Sequence, residues 1–162
     1  MFCCDPSPFD TLETAFRLLA ACPQPLALDG RTIGLRTDAV GLVRLRAILF
    51  HPANSPAVQR LALVALVEQA RLHRGAWVVG LAGVLLPGLR QEHIRLRAER
   101  SASTCGAGVV LAALLAHLDA PGACSEEEIA EALLRRVVRP LAGPAPYPGP
   151  RPWLEAVPGG AG

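Results

Sequence analysis

Between Arg74 and Arg90 the chain carries almost no polar side chain. The run is Gly-Ala-Trp-Val-Val-Gly-Leu-Ala-Gly-Val-Leu-Leu-Pro-Gly-Leu. A bilayer crossing needs about 20 apolar residues, whereas a shorter element that is apolar on every side must be covered by neighbouring elements. We therefore predict that this run lies at the centre of a folded protein and does not span a membrane.

The rest of the composition favours helices around that centre. Hydrophobic residues make up 51% of the 162 residues and charged residues 19%, which is typical of one packed domain. Aromatic residues contribute only 4%, so Leu, Val and Ala must fill the interior, and abundant Ala and Leu favour helix over sheet. We expect an all-α fold over residues 1–141, a compact orthogonal bundle of five to six helices.

Capping and periodicity signals give the helix positions. Ser55-Pro56 and Ser125-Glu126-Glu127-Glu128 are strong helix starts, because serine caps free amides and proline or acidic residues suit the first turn. Asp10 and Thr37-Asp38 are weaker capping signals of the same kind. The predicted helices cover about residues 10–21, 37–51, 58–72, 76–89, 104–118 and 125–139.

Several residues qualify this pattern. Asp29-Gly30 lies between short alternating segments in residues 26–35, which predicts a small hairpin or an ordered turn. Pro87 is expected to bend or end the fourth helix, and the charged residues 91–100 to form an exposed helical extension. Gly80 and Gly83 are expected to let another helix approach closely. We also expect the fifth helix, rich in small residues, to lie beside the fourth in the centre.

After Leu141 the character of the chain changes. Prolines stand at every second position from Pro144 to Pro152, and this segment cannot build a core. We predict that residues 142–162 are a disordered tail rich in proline and glycine, with Trp153 tucked against the body. The usual P-x-x-P register for polyproline-binding grooves is absent.

The cysteines do not indicate a metal site or a secreted protein. Their number is odd, no C-x-x-C pair occurs, and the N-terminal sequence has no secretory signal, so free thiols in the cytoplasm are expected. The cysteines are Cys3, Cys4, Cys22, Cys105 and Cys124. The spacings of His93, Cys105, His117, Asp119 and Cys124 match no zinc module, and we predict neither a metal nor a cofactor.

Cys105 is the candidate reactive thiol. Ser103-Thr104-Cys105-Gly106 would place its sulfur at a helix N-terminus, where amide donors and the helix dipole stabilise a thiolate. The structural alternative is a small buried side chain. No histidine base lies at a recognisable spacing, so a cysteine-dependent enzyme or redox protein is an alternative hypothesis and not the leading one.

Four arginines in the charged extension are candidates for contacts with nucleic acid or a protein partner: Arg90, Arg95, Arg97 and Arg100. Arginine suits phosphates and carboxylates because its donors form a rigid fork. The alternative is a solvated helix face, because Glu92 and Glu99 are interleaved and no aromatic residue is present for base stacking. The net charge of +2 is small for a nucleic-acid-binding protein.

Three blocks of sequence carry a resemblance to a known group. Residues 45–59, 75–80 and 85–90, within a span of 26–141, resemble uncharacterised helical proteins of high-GC actinobacteria that are described as sigma-factor-like. Residues 109–115 and 133–136 are weakly similar to the helical order of a sigma factor's promoter-opening domain. The resemblance implies a helical architecture and a regulatory context. It does not extend to promoter melting, because the only tyrosine and tryptophan side chains that the chain offers to capture unpaired bases are Tyr147 and Trp153 in the tail and Trp77 in the predicted core.

The leading functional prediction is a non-enzymatic helical binding protein, sigma-like and transcription-associated. It would contact RNA polymerase or another regulator, with nucleic acid as a further partner and no membrane partner. Two other classes stay open: the cysteine-dependent enzyme or redox protein that uses Cys105, and a structural oligomerisation module. The last follows from two apolar helices that one small chain does not readily cover.

Overall fold

A computed structural model of the chain describes residues 6–99, 106–119, 122 and 124–142. Within these residues the fold is all-α, as predicted, with one small antiparallel sheet. The elements are α1 (Pro8–Ala21), β1 (Ala27–Leu28), β2 (Val40–Gly41), α2 (Leu42–Phe50), α3 (Pro56–His73), α4 (Ala76–Glu99), α5 (Ala107–Asp119), α6 (Glu126–Leu133), a π-helical turn (Leu134–Val138) and α7 (Arg139–Ala142). The segment predicted to be a disordered tail lies outside the described residues, apart from Ala142.

Two predicted helix starts are confirmed by their capping contacts. The Ser55 hydroxyl accepts a hydrogen bond from the Ala57 amide at 3.2 Å, and Pro56 opens α3. At α6 the Glu128 amide donates to the Ser125 hydroxyl at 3.2 Å, and the Ser125 amide donates to the Glu128 carboxylate at 2.7 Å. These reciprocal bonds satisfy amides that have no partner within the helix. Helix α1 begins at Pro8, slightly before the predicted Asp10.

The predicted start of the second helix at Thr37-Asp38 is wrong. Val40 and Gly41 pair with Leu28 and Ala27 of β1, so their backbone is extended and α2 begins only at Leu42. Residues 29–35 form the ordered turn that was one of the two alternatives there. The Leu35 amide donates to the Gly30 carbonyl at 2.8 Å in this turn.

Helix α4 runs unbroken through Pro87 and includes the charged extension to Glu99, so Pro87 does not end it. Proline has no amide hydrogen and leaves the carbonyl four residues earlier, that of Gly83, without its helical donor. The Arg46 guanidinium fills this vacancy, with Nη2 at 2.5 Å and Nε at 3.1 Å from the Gly83 oxygen. A side chain from α2 thus repairs the gap that the proline creates.

The first half of α4 is the centre of the core, as predicted. All residues from Gly80 to Leu86 are buried, with α1, α2 and α3 packed around them. The expected close approach occurs at Gly83, where an added Cβ would collide with the Phe16 ring of α1. Gly88 likewise allows the π-helical turn to approach α4 closely, because a Cβ there would collide with the Val137 carbonyl oxygen.

Helix α5 contacts α4 but lies at the edge of the bundle, so the expectation of two central helices is wrong for α5. Its buried residues are Val110, Leu114 and Leu118, one in each turn. Val109 is 52% exposed and Leu115 is 43% exposed. An apolar composition therefore did not make this helix a buried one.

None of the helices in the described ranges has the length and hydropathy that a membrane crossing requires.

Candidate partner-binding groove

An open apolar groove of about 320 Å³ lies between the second half of α4, α5, and the α6 region with its π-helical turn. Its floor consists of buried side chains of all three elements: Leu89, Val110, Leu114, Leu133 and Val137. Its walls are Leu96, Val109 and Ala113. Three polar residues, Glu92, His117 and Arg136, also line the groove, and we call them its rim. We call this site the α4/α5/α6 groove.

Helical periodicity explains how α5 makes one wall. Residues four apart lie on the same side of a helix, so Val110, Leu114 and Leu118 form one row and Val109, Ala113 and His117 form the next. The first row is buried against the bundle, and the second row is exposed. The apolar part of the second row has no covering element among the described residues.

Arg71 of α3 holds α5 and α6 in their relative positions. Its Nε donates to the Leu118 carbonyl at the end of α5 at 3.3 Å. Its Nη1 donates to the Cys124 carbonyl at 3.1 Å and to the Glu126 carboxylate at 2.8 Å, at the start of α6. The pKa of Glu126 is lowered by a hydrogen bond from its own backbone amide and by the Arg71 guanidinium. The two helices that flank the groove are therefore tied to the same rigid helix.

Of the two charged residues at the rim, Glu92 is held in a salt bridge and Arg136 is not, within the described part of the chain. Glu92 accepts two hydrogen bonds from Arg95, at 2.8 Å and 2.7 Å, and Arg95 also donates to Glu99 at 2.6 Å. The hydrogen bonds from Arg95 lower the pKa of Glu92 against the opposing effect of burial, and the nearby charge of Arg136 lowers it further. Arg136 itself is exposed and forms no salt bridge within the described part of the chain. The rim thus offers one cation to an incoming acidic group.

The three candidate arginines that the structure describes, Arg90, Arg95 and Arg97, do not form one basic surface. Arg90 donates to Asp10 of α1 at 3.1 Å, and Arg95 is enclosed by Glu92 and Glu99. With about 100° between successive helical residues, Arg97 lies close to the direction of Arg90, whereas Arg95 points roughly 140° away. Arg97 is exposed, and Arg100 lies outside the described residues.

The candidate reactive thiol, Cys105, also lies outside the described residues, as do Cys3 and Cys4. The two cysteines that are described, Cys22 and Cys124, are exposed free thiols. In the described ranges no group of three or more His, Cys, Asp or Glu side chains converges in a way that would hold a metal ion.

A second cavity, of about 490 Å³, is polar and lies between α1, α2 and the middle of α4. Glu13 accepts from Arg46 at 3.2 Å and 3.0 Å and lies 3.4 Å from Arg17. The hydrogen bond from Arg46 is the main reason why the pKa of Glu13 is lowered. The Arg46 guanidinium carbon also lies 3.9 Å from the centre of the Phe16 ring, a cation–π contact. We call these residues the Glu13–Arg46 cluster.

The Glu13–Arg46 cluster is best explained by structure. Arg46 uses its donors on Glu13 and on the Gly83 carbonyl, and its flat face lies on Phe16. Because these groups satisfy one another, little capacity is left for a ligand. The apolar groove, in contrast, has uncovered surface.

Comparison of the chain with protein-family models, with curated proteins and with solved structures found no match. The resemblance to sigma-factor-like actinobacterial proteins therefore stays a prediction.

Sequence reasoning did not find the groove, although two signals for it were present. Leu96 is an apolar residue within an otherwise charged extension, three and four residues from Glu92, His93 and Glu99. Helix α5 carries apolar residues on more sides than one packed face needs. What the sequence could not give is that α6 and its π-helical turn close the third side.

Proposed function

We propose that this chain is a non-enzymatic binding protein that takes an apolar face of a helix from a protein partner into the α4/α5/α6 groove. The single observation that carries the proposal is the open groove itself, with Val109 and Ala113 exposed above a floor of buried side chains. Grooves between helices commonly accept amphipathic helices whose apolar residues recur every three or four positions. Exposed apolar surface of this kind marks interaction sites in many soluble proteins.

The rim defines the chemistry of the partner more closely. A partner helix should present apolar side chains to Leu96, Val109 and Ala113, and a carboxylate where Arg136 lies. An acidic group beside Arg136 would form a charge-assisted hydrogen bond at the edge of an apolar contact, which fixes register more than it adds affinity.

RNA polymerase, or a regulator bound to it, is the first partner to test. This choice rests on the sequence resemblance to sigma-factor-like proteins, and it implies a cytoplasmic setting. Direct nucleic-acid contact is less well supported, because Arg90 and Arg95 are occupied by acidic partners.

The test uses two substitutions of adjacent residues on α5. Both residues are exposed, but Ala113 lines the groove and Ala112 does not. Ala113→Arg would fill the groove with a long cationic side chain, whereas Ala112→Arg places the same group outside it. The full chain and both variants are immobilised, and the binding of purified actinobacterial RNA polymerase is measured at equilibrium.

We expect polymerase to bind the unsubstituted chain and the Ala112→Arg variant equally, and to bind Ala113→Arg about tenfold more weakly or worse. If none of the three binds polymerase, the transcription part of the proposal is wrong. If Ala113→Arg binds as well as Ala112→Arg, the partner lies elsewhere on the surface and the groove proposal is wrong.

The oligomerisation module makes a different prediction in the same set of proteins. Sizing with light scattering should give a monomer for all three chains if the groove serves a different protein. A dimer that Ala113→Arg dissociates and Ala112→Arg preserves would show that the groove joins two copies of this chain, and would replace our proposal.

A further inference from the structure

We infer that in the absence of a partner the α4/α5/α6 groove is occupied by a segment of the same chain, residues 152–155, with Trp153 and Leu154 in the apolar part and Glu155 at Arg136. The inference rests on the proposed function, because it names what regulates access to that same groove. It is carried by three observations: the chemistry of the groove, the chemistry of the segment and the length of chain that joins them.

The segment matches the groove in the order of its groups. Residues 143–162 contain two large side chains next to each other, Trp153 and Leu154, and a carboxylate follows directly at Glu155. The groove offers an apolar floor and walls, with the cation Arg136 at its rim. Apolar groups followed by an acid are what we expect of a ligand that fits this surface.

The connection is long enough. The described chain ends at Ala142 in α7, which follows the π-helical turn directly, and Val137 of that turn is part of the groove floor. At about 1.5 Å of rise per helical residue, Ala142 lies roughly 8 Å along the axis beyond Val137. Ten residues lie between Ala142 and Trp153, and at about 3.1 Å per residue in a proline-rich conformation the eleven steps span up to roughly 34 Å.

The sequence between these points also permits the required reversal. Gly143 comes directly after α7, and Gly149 lies between the prolines. Glycine allows backbone conformations that turn a chain back on itself, and the remaining prolines keep the ordering entropy of the linker low. An attachment this short gives the segment a high effective concentration at the groove.

The functional consequence is competition. A partner helix can bind only the fraction of molecules in which the groove is free, so the segment lowers the apparent affinity by that fraction. Removing the side chains of Trp153 and Leu154 should therefore strengthen partner binding without touching the groove.

The test follows the fluorescence of Trp153 in the full chain. Trp77 is the only other tryptophan, and Trp77→Phe removes its signal. We expect Trp153 to emit at shorter wavelength, and to be quenched by acrylamide several-fold more slowly, than in a free peptide of residues 143–162. Added Ala113→Arg should return both values to those of the peptide, and added Ala112→Arg should leave them shifted.

A second measurement observes Trp153 without the Trp77→Phe substitution, in case that substitution disturbs the fold. Subtracting the spectrum of a Trp153→Phe chain from that of the unsubstituted chain isolates Trp153 while Trp77 stays in place. Peptide-like emission from Trp153 in both designs would overturn the inference. So would a shift that Ala113→Arg leaves unchanged.

Protein concentration distinguishes the source of the occupant. Occupancy within one chain is independent of concentration, whereas occupancy by the segment of a second copy rises with concentration. A concentration-independent shift is expected, and a shift that disappears on dilution would overturn occupancy within the chain.

Partner binding separates this inference from the proposed function. Trp153→Ser with Leu154→Ser should raise partner affinity several-fold, and Tyr147→Ser, a change in the linker outside residues 152–155, should not. An exposed Trp153 with partner binding still lost in Ala113→Arg would defeat the inference alone. A shifted Trp153 with partner binding unaffected by Ala113→Arg would defeat the proposed function alone.

Discussion

The two halves of helix α4 meet at Pro87 and behave in opposite ways. In the first half the main-chain vacancy that Pro87 creates, at the Gly83 carbonyl, is filled by Arg46, and Phe16 packs against the glycine itself. In the second half α4 is covered by α1 on one side, where Phe9 contacts the His93 ring edge-on at 5.5 Å, and left open on the groove side. The first half holds the fold together, and the second half provides the surface.

The difference shows how a proline inside a long helix can be accommodated. The vacancy that Pro87 creates lies beside α2, which supplies a guanidinium. The Glu13 carboxylate then balances the charge of that guanidinium. Such a network is stable only when its members are all present, because a lone buried charge or carbonyl is costly. The exposed wall residues of the groove, Val109 and Ala113, have no comparable dependence, so they are free to change without loss of the fold.

The largest expected effect tests how closely α4 packs against the π-helical turn directly after Pro87. Gly88→Ala would place a Cβ against the Val137 carbonyl, a backbone atom that cannot rotate away. We expect a loss of about 3 kcal/mol in the free energy of unfolding, measured by urea denaturation, despite the better helix propensity of alanine. Gly108→Ala on α5, where no atom lies within 4 Å, is the matched control and should be neutral or stabilising by up to about 1 kcal/mol. Equal tolerance at both positions would show that α4 is not closely packed against the π-helical turn.

The next effect concerns the Gly83 carbonyl, which lacks its helical donor because of Pro87. Arg46→Met removes the donors to Gly83 and leaves Glu13 without its main partner, and should cost about 2 kcal/mol of stability. In a Pro87→Ala background the alanine amide can bond the Gly83 carbonyl, so the same Arg46→Met change should cost clearly less. A double-mutant cycle measures this coupling. If the stability losses of Arg46→Met and Pro87→Ala simply add, Arg46 does not stabilise the fold by filling the vacancy that Pro87 creates.

A smaller effect depends on pH. The pKa of Glu13 in the folded protein lies below its ordinary value of 4.5, chiefly because of the hydrogen bond from Arg46. A lowered folded-state pKa gives stability that is fully present above the unfolded-state pKa and is lost as the pH falls through the folded-state value. Glu13→Gln should therefore lower stability on the order of 1 kcal/mol at pH 7 and much less at about pH 3.

Urea denaturation of both proteins across this range is the measurement. Glu92 and Glu126 also have lowered pKa values and contribute to acid destabilisation in both chains, so the difference between the chains isolates Glu13. A difference that stays constant from pH 7 to pH 3 would contradict the assignment.

The smallest effect on stability is expected in the groove. Val109→Ser should change the free energy of unfolding by less than about 0.5 kcal/mol, because this side chain is 52% exposed. It should weaken partner binding nevertheless, since it removes part of the apolar wall. A large loss of stability in thermal unfolding would show that the wall belongs to the core.

Much of the covered half was predictable from the sequence, because local signals specify it. The apolar run from Gly75 to Leu89 fixed the buried centre, and the capping patterns at Ser55 and Ser125 fixed two helix starts. The start of α2 was missed because the pairing of Val40 and Gly41 with β1 is a non-local contact that overrides the capping signal at Thr37-Asp38. The role of Arg46 was missed for the same reason, since 37 residues separate it from Gly83.

The groove was not predictable because it depends on what fails to cover α5. The sequence shows that α5 is apolar on most sides, and burial was the natural expectation. Only the arrangement of α4, α5 and α6 reveals that Val110 and Leu114 face the bundle while Val109 and Ala113 do not. For the candidate arginines the sequence suggested one cluster that the structure does not form. Arg90 and Arg95 point in different directions on α4, and each is paired with acidic side chains.

The central claim is that the α4/α5/α6 groove is an accessible apolar binding surface, and titration with an environment-sensitive apolar dye tests it most directly. The full chain carrying Trp153→Ser and Leu154→Ser keeps its own segment from competing. We predict that one dye binds per chain, that added Ala113→Arg abolishes this binding, and that added Ala112→Arg preserves it. Equal dye binding by all three proteins, or no binding by any, would contradict the account.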